Sequence, residues 1–131
     1  MKSLGRHVIA EFYECNVDAI KDVKSVQEAM VGAAKATNAT IVDVIFHSFS
    51  PYGISGVIVI AESHLAIHTW PEYGFASVDI YTCGEEVQPW KAYDFLEEAF
   101  GAKNVSVMEM KRGIMKPKEG VVIQHKPGAA K

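Results

Sequence analysis

The chain has 131 residues and carries 13 Lys and Arg against 16 Asp and Glu, which gives a net charge of −3 with His neutral. This length suits one domain, and the lack of a basic excess argues against a protein that binds nucleic acid or anionic lipid, because such proteins neutralise phosphates with Lys and Arg. No apolar run approaches the roughly 20 residues that span a bilayer, and no signal peptide is evident, so we expect a cytoplasmic protein. Its two cysteines are too few for a disulfide framework, and we expect them to be thiols.

The first elements are predicted to be a strand and a helix. Residues 7–13 are rich in β-branched and aromatic types, which favours a strand. Asn16 or Asp18 is typical of a helix cap, and apolar residues then recur at three- and four-residue steps as far as about Thr37. Asn38 favours the end of that helix, since Asn tolerates the left-handed conformation.

Four strands are predicted next, in two pairs. Residues 40–49 and 54–61 read as strands on either side of a turn with Pro51 and Gly53, and the second of them is apolar enough to be central in a sheet. Residues 64–69 and 75–82 form the other pair, which Gly84 ends.

A second helix over residues 88–101 and a last strand over residues 104–110 complete the predicted elements. Beyond Gly113 the chain reads as loop and tail, with one short apolar run at residues 121–123. The order is therefore β-α-β-β-β-β-α-β.

This order predicts a two-layer α+β sandwich, in which an antiparallel sheet has both helices on one face. Short turns force antiparallel pairing, since a parallel crossover needs a dozen or more residues. Two amphipathic helices cover only one face of such a sheet. Because the strands are densely apolar, we expect a second copy of the chain to cover the other face, as a homodimer.

Several residues in the middle of the chain could carry chemistry, and each also has an ordinary structural interpretation. His64 and His68 are four apart, so they share one face of a strand. With His47 and Cys83 they could bind zinc, but they lack compact ligand spacing, so we predict no metal. Ser63 lacks the glycines of a nucleophile elbow, and a lone Cys is usually a small buried hydrophobe.

A long motif goes further than composition and spacing. The run from Ser55 to Glu72, SGVIVIAESHLAIHTWPE, closely resembles the signature of prokaryotic S-adenosylmethionine decarboxylases, pyruvoyl enzymes that make the aminopropyl donor for polyamine (spermidine) synthesis. Three shorter segments fit the same family, and the resemblance covers roughly residues 3–113. These segments are Gly5-Arg6-His7 with Glu11, Phe46-His47-x-Phe49, and Thr82-Cys83-Gly84.

The resemblance implies a proenzyme that cuts itself between Glu62 and Ser63. The Ser63 hydroxyl attacks the preceding carbonyl, the resulting ester is eliminated, and Ser63 becomes a pyruvoyl group that forms a Schiff base with the substrate. We expect local strain around the bond to help, because an amide is normally more stable than the ester. The products would be residues 1–62 (β chain) and 63–131 (α chain).

The resemblance also implies roles for other residues. Ser55 assists the self-cleavage, His68 is the proton acceptor in that self-cleavage, and Cys83 donates a proton in the decarboxylation. The substrate would be bound by aromatic faces and a ribose-binding carboxylate, supplied by Phe49, His68, Trp70 and Glu72. Members of the family form dimers whose two sites are built from both protomers.

Two other functions stay open at this point. A relative on the same scaffold could decarboxylate arginine or ornithine, and the residues for self-cleavage cannot separate these substrates. A non-catalytic small-molecule-binding protein is the third possibility. Retention of Ser63, His68 and Cys83 together argues against it, since a decayed site would have lost at least one of them.

Overall fold

The structure is a computed structural model that describes residues 2–116 and 119–122. Its elements, in chain order, are β1 (Lys2–Tyr13), α1 (Val17–Ile20), α2 (Val23–Ala36), β2 (Ile41–Ser48), β3 (Ile54–Ile60), β4 (Ser63–Trp70), a 3-10 turn (Pro71–Tyr73), β5 (Phe75–Cys83), α3 (Pro89–Phe100) and β6 (Asn104–Met115).

All six strands form one sheet in the order β2-β3-β4-β5-β1-β6, and every neighbouring pair is antiparallel. Helices α2 and α3 pack on one face, and alternate residues of the strands point into the core between the layers. The predicted α+β sandwich is confirmed. The largest fully buried side chains of this core include Phe12, Met30, Leu65, Ile80, Leu96 and Phe100.

The prediction of a single helix before Asn38 is wrong, because this part of the chain forms two helices, α1 and α2. The Asn16 side chain accepts a hydrogen bond from the Asp18 backbone N–H at 3.1 Å and begins α1. Asp22 then accepts one from the Ser25 backbone N–H at 2.9 Å and begins α2. A second cap inside the apolar pattern therefore interrupts the helix. Asn38 has a φ of 71°, which confirms its left-handed conformation.

Both outer ends of the β1–β6 pair are longer than predicted. β1 begins at Lys2 rather than residue 7, and β6 runs to Met115 rather than residue 110, because the two ends pair with each other. Val121 and Val122 are exposed and in no helix or strand. Residue 123 of the predicted apolar run and the predicted tail at 127–131 lie outside the described residues.

The sheet face opposite the helices is uncovered and carries apolar side chains. Register places on it the exposed residues Ile45, Trp70, Met108, Met110 and Ile114. This is the face for which the sequence predicts a second copy, and the homodimer stays a prediction. None of the helices in the described ranges has the length and apolar composition of a membrane span.

Candidate active site

The chemistry-bearing residues divide between the two ends of strand β4. Ser63 begins the strand and pairs with Thr82 of β5. His68 lies five residues further along and pairs with Ser55 of β3. At roughly 3.4 Å per residue, about 17 Å separates Ser63 from His68. We call the group of Glu62, Ser63 and Cys83 the serine end, and the group of Ser55, His68 and Trp70 the histidine end.

At the serine end, Cys83 contacts both residues of the peptide bond between Glu62 and Ser63. The backbone N–H of Cys83 donates a hydrogen bond of 2.8 Å to the carbonyl oxygen of Glu62. The Ser63 Oγ lies 3.3 Å from the Cys83 Sγ. Cys83 is buried, with 2% of its surface exposed. The structure thus brings together the two predicted residues Ser63 and Cys83.

Ser63 also has an unusual backbone conformation. Its φ is 143°, in a region that residues with a side chain rarely adopt. Such a conformation costs about 1–3 kcal/mol and persists only where the surrounding structure enforces it. The sequence predicts strain around the bond between Glu62 and Ser63, and this conformation lies on the carboxyl side of that bond.

At the histidine end, Ser55 Oγ and His68 Nδ1 are joined by a hydrogen bond of 2.8 Å. The His68 ring is exposed and lies 6.4 Å from the Trp70 ring, which stacks on Phe75 at 5.3 Å. The pair is therefore held in the sheet but open to whatever covers this face.

The other predicted substrate-binding residues lie beyond the histidine end. Phe49 is exposed and contacts the His47 ring edge-on at 4.5 Å. Glu72 lies in the 3-10 turn and lines a surface depression of about 340 Å³ with Lys21 and Tyr52, among others. Within one chain, then, the structure does not bring the predicted substrate-binding residues or His68 to Ser63.

Sequence reasoning assigned no role to three residues beside Cys83. A Cβ placed on Gly5 would lie 2.7 Å from the Tyr81 ring and 2.8 Å from the Cys83 Sγ, so both side chains close over this glycine. The Arg112 guanidinium lies 5.0 Å above the Tyr81 ring. Burial raises the pKa of Tyr81, and the neighbouring Cys83 raises it further. Gly5 belongs to one of the segments that resemble the family, but only the register with Cys83 reveals why a glycine is needed there.

His7 lies next to this group on the uncovered face. Its Nδ1 is 3.0 Å from Arg112 Nη1, which donates to it, and its Nε2 is buried without a hydrogen bond in the part of the chain described. Burial lowers the pKa of His7, against a raising effect of Asp79. One atom each of His7, His64 and Asp79 lie within 4.8 Å of one another. Because Arg112 occupies the Nδ1 lone pair, the Nε2 of His7 carries the proton and offers no lone pair to a metal.

Comparison with known proteins identifies relatives along most of the chain. The sequence model of the family described as S-adenosylmethionine decarboxylase matches residues 6–113. A protein of Acidithiobacillus ferrooxidans named S-adenosylmethionine decarboxylase proenzyme is 58% identical over 113 residues, which are 86% of this chain and 85% of that protein. A protein of the same name from Thermotoga maritima is 57% identical, over 86% of this chain and 87% of its own length.

The fold has a solved counterpart as well. The crystal structure of the adenosylmethionine decarboxylase from Aquifex aeolicus superposes with a TM-score of 0.86 and is 36% identical in sequence. The superposition covers 92% of this chain and 100% of that one.

Proposed function

The chain belongs to the S-adenosylmethionine decarboxylase family, as its signature indicated, and we propose that it removes CO₂ from S-adenosylmethionine to supply the aminopropyl donor for polyamine synthesis. The proposal includes self-cleavage after Glu62 into residues 1–62 and 63–131, with a pyruvoyl group formed from Ser63. The observation that carries it is the placement of the Cys83 N–H on the Glu62 carbonyl, beside the Ser63 hydroxyl, in a chain whose relatives are named proenzymes.

The first step of self-cleavage follows from the geometry of the serine end. The Ser63 Oγ loses its proton and attacks the Glu62 carbonyl carbon, the C–N bond breaks, and the amine takes a proton as the peptide becomes an ester. Negative charge develops on the Glu62 carbonyl oxygen, where the Cys83 N–H already donates at 2.8 Å. Relief of the Ser63 backbone conformation favours the shift.

The second step needs a base at the Ser63 Cα. Removal of this proton expels the ester carboxylate, which becomes the new C-terminus at Glu62, and leaves a dehydroalanine that water hydrolyses to a ketone and ammonia. His68 suits this task, because imidazole exchanges protons near neutral pH. The His68 of the same chain lies about 17 Å away along the strand, too far for proton transfer.

A second copy of the chain would bring its own His68 within reach of Ser63. The Ser55–His68 pair and the Cys83 side chain both belong to the uncovered face of the sheet. Two copies packed face to face and antiparallel would set the histidine end of one against the serine end of the other. The exposed apolar side chains of this face support such a homodimer, since large apolar patches are rarely left to solvent. The working unit would be a dimer of cleaved pairs with two sites.

For the decarboxylation itself, a pyruvoyl group at position 63 would supply a carbonyl for the substrate amine and an electron sink for the loss of CO₂. Cys83 then supplies a proton. Its Sγ lies 3.3 Å from the Ser63 Oγ and so faces the atoms that derive from Ser63. A thiol has a proton to donate, whereas an ionised carboxylate has none. Because a free thiol suits a reducing compartment, the proposal places the enzyme in the cytoplasm.

Substrate binding falls to the residues beyond the histidine end of the second copy. The exposed rings of Phe49, His68 and Trp70 provide faces for a flat adenine and a sulfonium cation. The exposed Glu72 carboxylate can accept hydrogen bonds from ribose hydroxyls.

Release of labelled CO₂ tests the proposal and its substrate. The cleaved protein is incubated with carboxyl-labelled S-adenosylmethionine, arginine or ornithine, and Ser63→Ala serves as the matched control. We expect CO₂ from S-adenosylmethionine only, and none from the control. Preferential release from arginine or ornithine would contradict the substrate, and equal release by Ser63→Ala would contradict the mechanism.

A further inference from the structure

The side chain of Glu62 is buried, which is unusual for an acid. Only 4% of the residue is exposed, and among the described residues it is the one acidic residue in the buried set. A carboxylate removed from water needs hydrogen-bond donors in exchange. Its Oε1 accepts a hydrogen bond of 3.1 Å from the backbone N–H of Thr40, which is 22 residues away in sequence.

Thr40 returns a hydrogen bond to the same turn. Its carbonyl oxygen accepts the backbone N–H of Ala61 at 2.9 Å. With the Cys83 N–H on the Glu62 carbonyl, three hydrogen bonds therefore fix the residues immediately before the cleaved bond. We call the two bonds with Thr40 the Thr40 clamp.

The turn needs such support because its two residues are not the types that favour so short a hairpin loop. Ile60 pairs with Ser63, so Ala61 and Glu62 form a two-residue hairpin loop. Loops of this length favour turns with positive φ and residues such as Asn and Gly. Neither Ala61 nor Glu62 has a positive φ, and the unusual conformation falls on Ser63 instead. Contacts outside the hairpin must therefore hold this arrangement.

We infer that the Glu62 carboxylate is a positioning residue for self-cleavage, and that its bond to Thr40 holds the turn so that the Glu62 carbonyl faces both the Ser63 hydroxyl and the Cys83 N–H. The inference rests on the proposed function, because it concerns the rate at which Ser63 attacks. It requires an acceptor oxygen at the end of a side chain of this length, and not a negative charge.

Three substitutions of Glu62 separate these requirements. Glu62→Gln keeps an acceptor oxygen at the same distance and loses the charge. Glu62→Asp keeps the charge but is one methylene too short to reach the Thr40 N–H. Glu62→Leu keeps the volume and loses the acceptor. Glu28→Leu, at an exposed position of α2, is the matched control.

Cleavage of the full-length chain is followed by mass spectrometry under denaturing conditions after synthesis in a cell-free extract. Parallel samples receive hydroxylamine, which cuts any accumulated ester, so that ester formation is read separately from elimination. Thermal unfolding checks that each variant is folded. We expect Glu62→Gln to be cut within about threefold of the wild-type rate, and Glu62→Asp and Glu62→Leu to form ester at least about tenfold more slowly, which corresponds to the loss of one hydrogen bond.

Wild-type rates for folded Glu62→Asp would overturn the inference. Slowing of Glu62→Gln as large as that of Glu62→Asp would overturn it too, since an acceptor oxygen at the right distance would then not be sufficient. Failure of the wild type itself to cut would instead refute the proposed function. If Glu62→Leu does not fold, the comparison of Glu62→Gln with Glu62→Asp still decides, because both substitutions are small.

Discussion

Two inactive variants of this chain should restore a working site when they share a dimer, because Ser63 and His68 lie at opposite ends of β4. A Ser63→Ala chain has no hydroxyl to attack the peptide bond. A His68→Ala chain has the hydroxyl but no base for the Cα proton and stops at the ester. In a mixed dimer, one site combines the Ser63 of the second variant with the His68 of the first, and that site is intact.

The expected magnitude follows from the strand geometry and from random pairing. Five residues of strand put about 17 Å between Ser63 and His68 of one chain, several times the reach of a proton transfer, so each site depends wholly on the other copy. With equal amounts of the two variants, about half of the dimers are mixed. About half of the His68→Ala chains should then be cut completely, and none of the Ser63→Ala chains.

The assay is co-expression of the two variants with different tags, followed by mass spectrometry under denaturing conditions. As a matched control, His68→Ala is co-expressed with the double variant Ser63→Ala/His68→Ala, which should restore nothing. Full cleavage of His68→Ala on its own, or no gain over this control in the mixed sample, would refute a site shared between two copies.

Other predictions address the donor, the core and the dependence on pH. Cys83→Ala keeps the backbone N–H and should still be cut, but its CO₂ release per cleaved chain should fall roughly a hundredfold or more, the usual effect of a lost general acid; normal turnover would contradict the assignment. Gly56→Ala should lower the free energy of unfolding by about 1–3 kcal/mol in chemical denaturation, because the added Cβ would lie 2.0 Å from the Phe46 ring; adding Phe46→Leu should recover part of the loss, and an unchanged stability of Gly56→Ala would contradict the packing. Burial lowers the pKa of His7 in the folded chain, so its contribution is fully present above about pH 6.5 and is lost as the pH falls toward the folded pKa. Urea midpoints between pH 5 and 8 should therefore decline on the acid side less steeply for His7→Gln than for the wild type, and identical slopes would exclude this cause.

The strands and their order along the chain could be predicted from the sequence because apolar residues and turn residues follow one another clearly. The position of β1 between β5 and β6 in the sheet could not. The break between α1 and α2 could not, since an apolar period of three and four residues continues across it. Only the bond from Ser25 to Asp22 shows that a second helix begins there. The length of β1 was likewise hidden, because Leu4 is the only large apolar residue among residues 2–6 and this stretch is ordered by pairing with β6.

For the candidate site, the signature predicted which residues react but not where they lie in the fold. His68 and Ser63 are close in sequence, but they lie near opposite ends of β4 because this segment is an extended strand. The contacts of Glu62 with Thr40 and of Tyr81 with Arg112 join distant parts of the chain. Such contacts depend on the register of the sheet, which no local pattern specifies.

The mass of the active protein under denaturing conditions tests the central claim most directly. If Ser63 becomes the pyruvoyl group, protein that releases CO₂ from S-adenosylmethionine will consist of two chains, residues 1–62 and 63–131, and the second will begin with a ketone and resist stepwise degradation from its N-terminus. Full activity in a preparation that holds only the intact chain would contradict the account.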